Sequence, residues 1–155
     1  MALLACTFAW CVLVVLPPLI LSFAPGTDAA GPFYAFFSHV CHQWDSHSLH
    51  VSGHKLAVCA RCFAVYGGFL AGALLVPLVG IPLHWDRRRA WLAAAAPMAT
   101  DVAMNIFPWY SSSLASRLVT GGLFGVGAGL LLVPILLQAL STISDRVSPT
   151  SRSSL

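Results

Sequence analysis

Four long stretches of apolar residues divide the chain, and each has about the length that crosses a lipid bilayer. They lie at about residues 2–23, 58–79, 90–108 and 117–140. A helix that rises 1.5 Å per residue needs about 20 apolar residues to cross a hydrocarbon core of about 30 Å. The pattern predicts an all-α polytopic membrane protein: one domain, residues 1–147, with four transmembrane helices, followed by a disordered cytoplasmic tail, residues 148–155.

The first stretch has two interpretations. Small residues at 27–30 offer a cleavage site for a signal peptide, but no basic residue precedes the stretch and its apolar run is long for a signal sequence. A retained helix is the favoured interpretation. Pro17 and Pro18 are expected to kink or end this helix, because proline removes a backbone donor and clashes with the preceding turn.

Composition and charge agree with a membrane protein. The chain is 58% hydrophobic and only 8% charged, whereas a soluble domain carries about 25% charged residues. The net charge of +3 forms no basic stripe, so a nucleic-acid partner is not expected. The expected partners are the lipid bilayer and other membrane-protein subunits.

The basic residues predict the orientation. One set lies in the short connection after the second stretch or beyond the fourth: Arg87, Arg88, Arg89, Arg146 and Arg152. The others would lie on the opposite side: Lys55, Arg61 and Arg117. The positive-inside rule then places both termini in the cytoplasm and the long loop, residues 24–57, outside it. Three tryptophans fall near predicted span ends, as interfacial aromatics do: Trp85, Trp91 and Trp109.

Small residues one turn apart mark one face of two predicted helices. The second stretch carries Ala64, Gly68 and Gly72, and the fourth carries Gly121, Gly125 and Gly129. Such faces let two helix backbones approach closely in lipid. A dimer interface is one interpretation, but packing inside a single bundle is favoured because each helix has partners within the chain.

One acidic residue falls inside a predicted span. A carboxylate near a helix centre costs about 2.5–3.5 kcal/mol to insert, so Asp101 is expected to face a partner inside the bundle, about 10 Å below the outer end of its helix. Asn105 follows one turn later, and Arg61 and Arg117 begin their helices on that side. A buried polar cluster of these residues is predicted. It is interpreted as a structural tie between helices, with a proton or ion path as the alternative.

Cysteine and histidine carry the candidate chemistry. The long loop holds most of the histidines, and five candidate metal ligands lie close together: Cys41, His42, His54, Cys59 and Cys62. If residues 59–62 are helical, their two sulfurs share one face, near the helix N-terminus and Arg61. One Cys and one His from the loop would complete a tetrahedral zinc site. The loop also has too few apolar residues for a core of its own, which favours a metal.

Other interpretations of these residues stay open. Cys59 and Cys62 are the active pair of a possible thiol–disulfide oxidoreductase with Cys41 as the exchanging thiol, or the cysteines are structural. Haem bound by paired histidines is a lesser alternative to zinc, as is no cofactor at all. His39, His47 and His50 are interpreted as surface groups or supports for ligands. Cys6 and Cys11 are interpreted as small apolar residues of the first span rather than a thiol relay.

The strings Cys41-His42-Gln43, Val58-Cys59-Ala60-Arg61-Cys62 and Arg117-x-x-Thr120-Gly121 resemble a family of small prokaryotic integral membrane proteins catalogued as a domain of unknown function. The likeness covers about residues 38–137. It implies a four-span fold in a prokaryotic cytoplasmic membrane and a shared cysteine–histidine site near Asp101, Arg61 and Arg117, but no reaction. Where the family has an arginine, near residues 46–48, His47 is the candidate replacement.

The resulting hypothesis is a membrane protein whose extracytoplasmic loop is fixed to the second helix by zinc. A closed four-ligand site is structural, so the chain would serve as an accessory subunit or binding module. Its small size and few loops leave little room for a substrate pocket. An enzyme is disfavoured, the oxidoreductase being the main rival. A metal transporter with Asp101 on its path is the second alternative, and only His84 and Asp86 offer inner acceptors.

Overall fold

The computed structural model describes residues 2–79 and 86–147. In these residues five helices and two strands follow one another: α1 (Ala2–Phe23), α2 (Gly31–Ser38), β1 (Ser48–Val51), β2 (His54–Cys59), α3 (Ala60–Val79), α4 (Arg87–Met104) and α5 (Leu114–Val147). Short 3₁₀ turns lie at Asp28–Ala30 and Asp45–His47. The predictions for His84, Trp85 and the tail, residues 148–155, fall outside the described residues.

The long loop between α1 and α3 contains a β-hairpin, so the prediction of an all-α protein is wrong at this point. Strands β1 and β2 pair antiparallel, with Val51 opposite His54. Ser52 and Gly53 connect them with φ angles of 51° and 83°. Positive φ at both central residues is the geometry of the tight type I′ turn, whose twist matches that of paired strands.

The loop segment packs on α1 and shares a core with it. Phe37 of α2 and Ala57 and Val58 of β2 are buried together with Val14 of α1. Trp10 of α1 meets the Phe37 ring edge-on, with ring centroids 5.3 Å apart. The loop therefore has no core of its own, as expected, but it shares a core with the first helix, which the sequence did not predict.

Within the described residues, three helices are long and apolar enough to cross a membrane: Ala2–Phe23, Ala60–Val79 and Leu114–Ile143. α1 continues through Pro17 and Pro18 rather than ending there. The predicted third span, residues 90–108, corresponds to α4, which begins with three arginines and ends at Met104. α4 is not among these three helices, because its three arginines and Asp101 make it less apolar, and residues 105–113 lie outside α4.

The small-residue faces of α3 and α5 pack against each other. A Cβ atom added to Gly125 would lie 3.0 Å from Gly68 Cα and would also meet the backbone of Val65 and Phe69. Gly72 stands equally close to the backbone of Val126. The prediction that these faces pack inside the bundle is confirmed. α4 lies on the next side of α5, where Ala94 faces Gly127.

Candidate metal centre

Three cysteine sulfurs meet at the end of the bundle where α3 and α5 begin. Cys41 follows α2, Cys59 ends β2, and Cys62 lies in the first turn of α3. Their sulfur atoms all lie within 4.8 Å of one another. The hairpin brings this about, since it returns the chain from the residue that follows α2 to the start of α3.

Cys41 is held in place by a turn with an unusual backbone. Its N–H donates to the carbonyl of Phe37 at 2.9 Å, and its Sγ accepts the N–H of Cys59 at 3.2 Å. Gln43, two residues later, has a φ of 51°, a conformation that is uncommon outside glycine and that often marks a functional site. Its side-chain amide donates to Tyr34 O at 2.8 Å, and its own carbonyl accepts the Lys55 ammonium at 3.1 Å.

The surroundings of Cys41 favour a thiolate. Hydrogen bonds from the side chains of Cys59 and Cys62 lower the pKa of Cys41, burial opposes this, and backbone hydrogen bonds of Cys59 and Gln43 lower it further. The thiolate is the form of cysteine that binds metals and attacks electrophiles. The three sulfurs, one of which is the Cys41 thiolate, offer a soft ligand set suited to Zn²⁺ and similar cations.

The structure does not bring His42 or His54 into the group of three sulfurs. His54 begins β2 and Cys59 ends it, and a strand rises about 3.3 Å per residue, so the two backbones lie about 16 Å apart. His42 is exposed and lines the adjoining cavity instead. Among the described residues, no other cluster of metal-binding side chains is present, and Cys6 and Cys11 stand apart from this one.

A cavity of about 310 Å³ adjoins the sulfurs. Its wall includes the three cysteines together with His47, Arg61 and Arg117. This volume reaches the lower end of the range typical of ligand pockets, so the expectation of too little room for a ligand is wrong. The space exists because the loop between α2 and β1 bends around the start of α3 and α5.

His47 also lines the cavity, although the sequence predicted only a surface or supporting position for it. Burial, followed by the charges of Arg117 and Arg61, lowers the pKa of His47, so its imidazole is kept neutral and able to accept a hydrogen bond or bind a metal. The Trp44 ring lies against it, with centroids 5.2 Å apart. By contrast, His50 bonds the exposed Asp45, and His39 bonds the last turn of α2.

The predicted polar cluster forms beside the cysteines. Arg61 of α3 makes an ion pair with Asp101 of α4, whose other carboxylate oxygen accepts the Tyr110 hydroxyl at 2.8 Å. Asp101 is only 5% exposed. Because α4 ends at Met104, Asp101 lies about 4.5 Å from the helix end rather than the expected 10 Å. Asp101 is therefore a tie between α3 and α4, and it does not line the cavity.

Asn105 and Arg117 extend the cluster to α5. The Asn105 amide donates to the carbonyl of Asp101, and its side-chain oxygen accepts the N–H and the hydroxyl of Ser112, both at 3.0 Å. Arg117 is 7% exposed, and its Nε donates to Ser112 O at 3.2 Å. Arg117 also belongs to the cavity wall. The roles of Tyr110 and Ser112 could not be predicted from the sequence, because nothing in their spacing marks them as partners of a charged group.

The part of the chain that builds this centre also matches a known family. The model of the family described as "Predicted membrane protein (DUF2085)" matches residues 41–131, which contain the three sulfurs and the polar cluster. The chain belongs to this family. The resemblance seen in the sequence is thereby confirmed, and α1 lies outside the matched segment.

A curated relative is similar to this chain over most of its length. The uncharacterized protein MJ1492 of Methanocaldococcus jannaschii is 33% identical over 113 residues, which cover 69% of this chain and 70% of the relative. No solved structure matches the chain. The family description names a membrane protein and no reaction, so function has to be argued from the site.

Proposed function

We propose that this membrane protein binds one zinc ion through Cys41, Cys59 and Cys62, and that the ion fixes the loop to α3. The observation that carries the proposal is the convergence of three sulfurs from two separate segments within 4.8 Å. In a tetrahedral site with Zn–S bonds of about 2.3 Å, the sulfurs lie about 3.8 Å apart. The ion therefore needs only a small further approach of side chains that are already gathered.

The backbone around the sulfurs supports the same proposal. The N–H of Cys59 donates to Cys41 Sγ at 3.2 Å, and such bonds stabilise the thiolate that a metal requires. Arg117 lies on the same wall and offers a countercharge to a centre of three thiolates and one divalent ion. The role of such a protein is that of an accessory subunit or binding module, with the loop as its ordered outer surface.

The membrane arrangement is part of the proposal. We infer that α4 is a fourth crossing helix, because Ala94 lies beside Gly127 while Asp101 lies beside the first turns of α3 and α5. α4 thus runs antiparallel to α5 along its side. Its one buried carboxylate is matched by Arg61 and Tyr110, which lowers the cost of placing it in lipid. The triple-arginine end then faces the cytoplasm with both termini, and the cysteines face the other side.

Cysteine accessibility in intact cells tests this arrangement. Single cysteines are introduced at Arg88, in the first turn of α4, and at Ser113, before α5, in a chain whose own cysteines are replaced by serine. An impermeant maleimide is expected to label only the second. Labelling of both positions from outside would mean that α4 does not cross the membrane, and labelling of Arg88→Cys alone would invert the orientation.

Metal analysis of the purified protein tests the site. We expect close to one zinc ion per chain, and loss of that zinc in Cys41→Ser, because removal of one of three ligands leaves too few bonds to hold the ion. Cys11→Ser, which changes a cysteine of α1 outside the sulfur group, is the matched control and should retain zinc. Equal zinc contents in the two variants would contradict the proposal.

The same sulfur positions favour one rival function. A third thiol beside a Cys-x-x-Cys pair is the arrangement of a thiol–disulfide oxidoreductase. In such an enzyme Cys59 and Cys62 would pass two electrons and two protons to a disulfide substrate, which is reduced to two thiols, and would themselves be left as a disulfide bridge. Titration of thiols in the denatured protein separates the two functions. The zinc protein releases all five cysteines as free thiols after chelation, whereas the oxidoreductase yields two more thiols only after reduction.

A further inference from the structure

Arg117 is a buried cation whose donors are only partly used. Its Nε donates to the carbonyl of Ser112, and the residue as a whole is only 7% exposed. In the described part of the chain its terminal nitrogens have no hydrogen-bond acceptor, and they are not among the fully enclosed atoms. Asp101, the nearest carboxylate, is already bound by Arg61 and Tyr110. A guanidinium with free N–H groups on a cavity wall favours an anion as its partner.

Arg61 is a second guanidinium at this end of the bundle that has an unused N–H donor. Its Nε is fully buried and has no acceptor among the described residues, while its terminal nitrogen holds Asp101. Two guanidinium groups therefore share this end of the bundle with one carboxylate. Apart from the sulfurs, the charged groups that line the cavity are donors and not acceptors, so a ligand that fits this space supplies acceptor atoms.

The proposed metal has one coordination position left. Three sulfurs converge, and neither His42 nor His47 belongs to that group. Zinc with three protein ligands and an exchangeable fourth is the arrangement of sites that act on a ligand, while structural sites use four protein ligands. The cavity of about 310 Å³ adjoins the sulfurs on the side of Arg117, which gives a small molecule a way to reach the ion.

We propose that a small anion is the fourth ligand of the metal. The anion enters through the cavity and is held by the N–H groups of Arg117. The inference rests on the proposed metal site. Three thiolates and a divalent ion carry one net negative charge, which Arg117 balances. The anion is therefore held by hydrogen bonds to Arg117 rather than by a net positive charge, and it exchanges with anions in solution.

Cobalt-loaded protein tests the open position, because the d–d absorption of Co²⁺ changes with its ligands. The full-length protein in detergent is loaded with Co²⁺ and titrated with azide, a small anionic metal ligand, and separately with neutral imidazole. A saturable spectral change with azide is expected. A spectrum that azide leaves unchanged overturns the inference and means that a protein group closes the site, whereas failure to bind Co²⁺ at all overturns the proposed metal site itself.

Variants of Arg117 test the anchor. Arg117→Gln should bind Co²⁺ with unchanged stoichiometry and bind azide about tenfold to a hundredfold more weakly, since it loses hydrogen bonds to a charged ligand. Imidazole binding should not change. Arg117→Lys, which keeps the charge with fewer donors, should weaken azide binding less, and it decides the question if Arg117→Gln does not fold.

Arg89→Gln is the matched control, because Arg89 is an exposed arginine of α4 paired with Asp86 and lies away from the cavity. It should bind azide as the unmodified protein does. Azide affinity that is equal in Arg117→Gln and Arg89→Gln would contradict a role for Arg117 in holding the anion.

Discussion

Helices α3 and α5 meet in two regions that are built in opposite ways. Along most of their length, glycines bring backbone against backbone, as at Gly68 and Gly125. At the end where both helices begin, Arg61, Cys62 and Arg117 crowd together with Asp101. The first region uses shape alone and buries no charge, whereas the second buries several charged groups at a cost that only close pairing offsets.

This contrast suggests which region serves stability and which serves chemistry. The glycine contacts are sufficient to set the distance and angle between the two helices, because interfaces of small residues are a common solution in lipid. The polar end adds an ion pair, a hydrogen-bonded turn and three gathered thiols. Sulfur chemistry is not needed to pair two apolar helices, so we attribute the cysteines to function.

Asp101→Asn is expected to have the largest effect on stability. The variant keeps the shape of the side chain but leaves the mostly buried Arg61 without its counter-charge, and breaking a buried pair costs about 3–5 kcal/mol. Unfolding in detergent micelles by a denaturant, followed by circular dichroism, measures the change. The control is Asp45→Asn, since Asp45 is exposed and bonds only His50, and its change should stay within about 0.5 kcal/mol. Similar values for both would mean that the polar end does not tie the helices.

Gly125→Ala is expected to have a smaller effect. The added methyl group would overlap the backbone of α3, and overpacking of a tight interface costs about 1–3 kcal/mol. Gly122→Ala, on the same helix, is the control because a Cβ there meets nothing within 4 Å. Thermal unfolding of both variants measures the difference. A stability loss in Gly122→Ala equal to that in Gly125→Ala would show that the glycine face does not set the helix distance.

Much of the helical framework could be predicted from the sequence. Runs of apolar residues fix where α1 and α3 lie to within two residues and where α5 begins to within three, because hydropathy and length are local properties. The contact between Gly68 and Gly125 could also be predicted, because small residues one turn apart along a helix in lipid typically mark a face that packs closely against another helix. α4 was less predictable, because its arginines and Asp101 lower its hydropathy and its end depends on how Asn105 caps it.

The site was predictable in its sulfurs and not in its surroundings. Cys41, Cys59 and Cys62 stand out by chemistry alone. The hairpin that separates them could not be predicted, because its strands are short and its apolar face is completed by Val14 of α1 rather than by the loop itself. For the same reason His54 looked like a ligand from its closeness in sequence, while the extended strand carries it away from Cys59.

The hairpin between Cys41 and Cys59 has a mechanical consequence. The proposed cation, bound to sulfurs on both sides, would close the intervening chain into a ring and so remove much of the conformational freedom that this stretch has when its ends are apart. Without the cation, the stretch is restrained mainly by the patch of side chains it shares with α1. The rigidity of the segment between Cys41 and Cys59 would then depend on the supply of the metal.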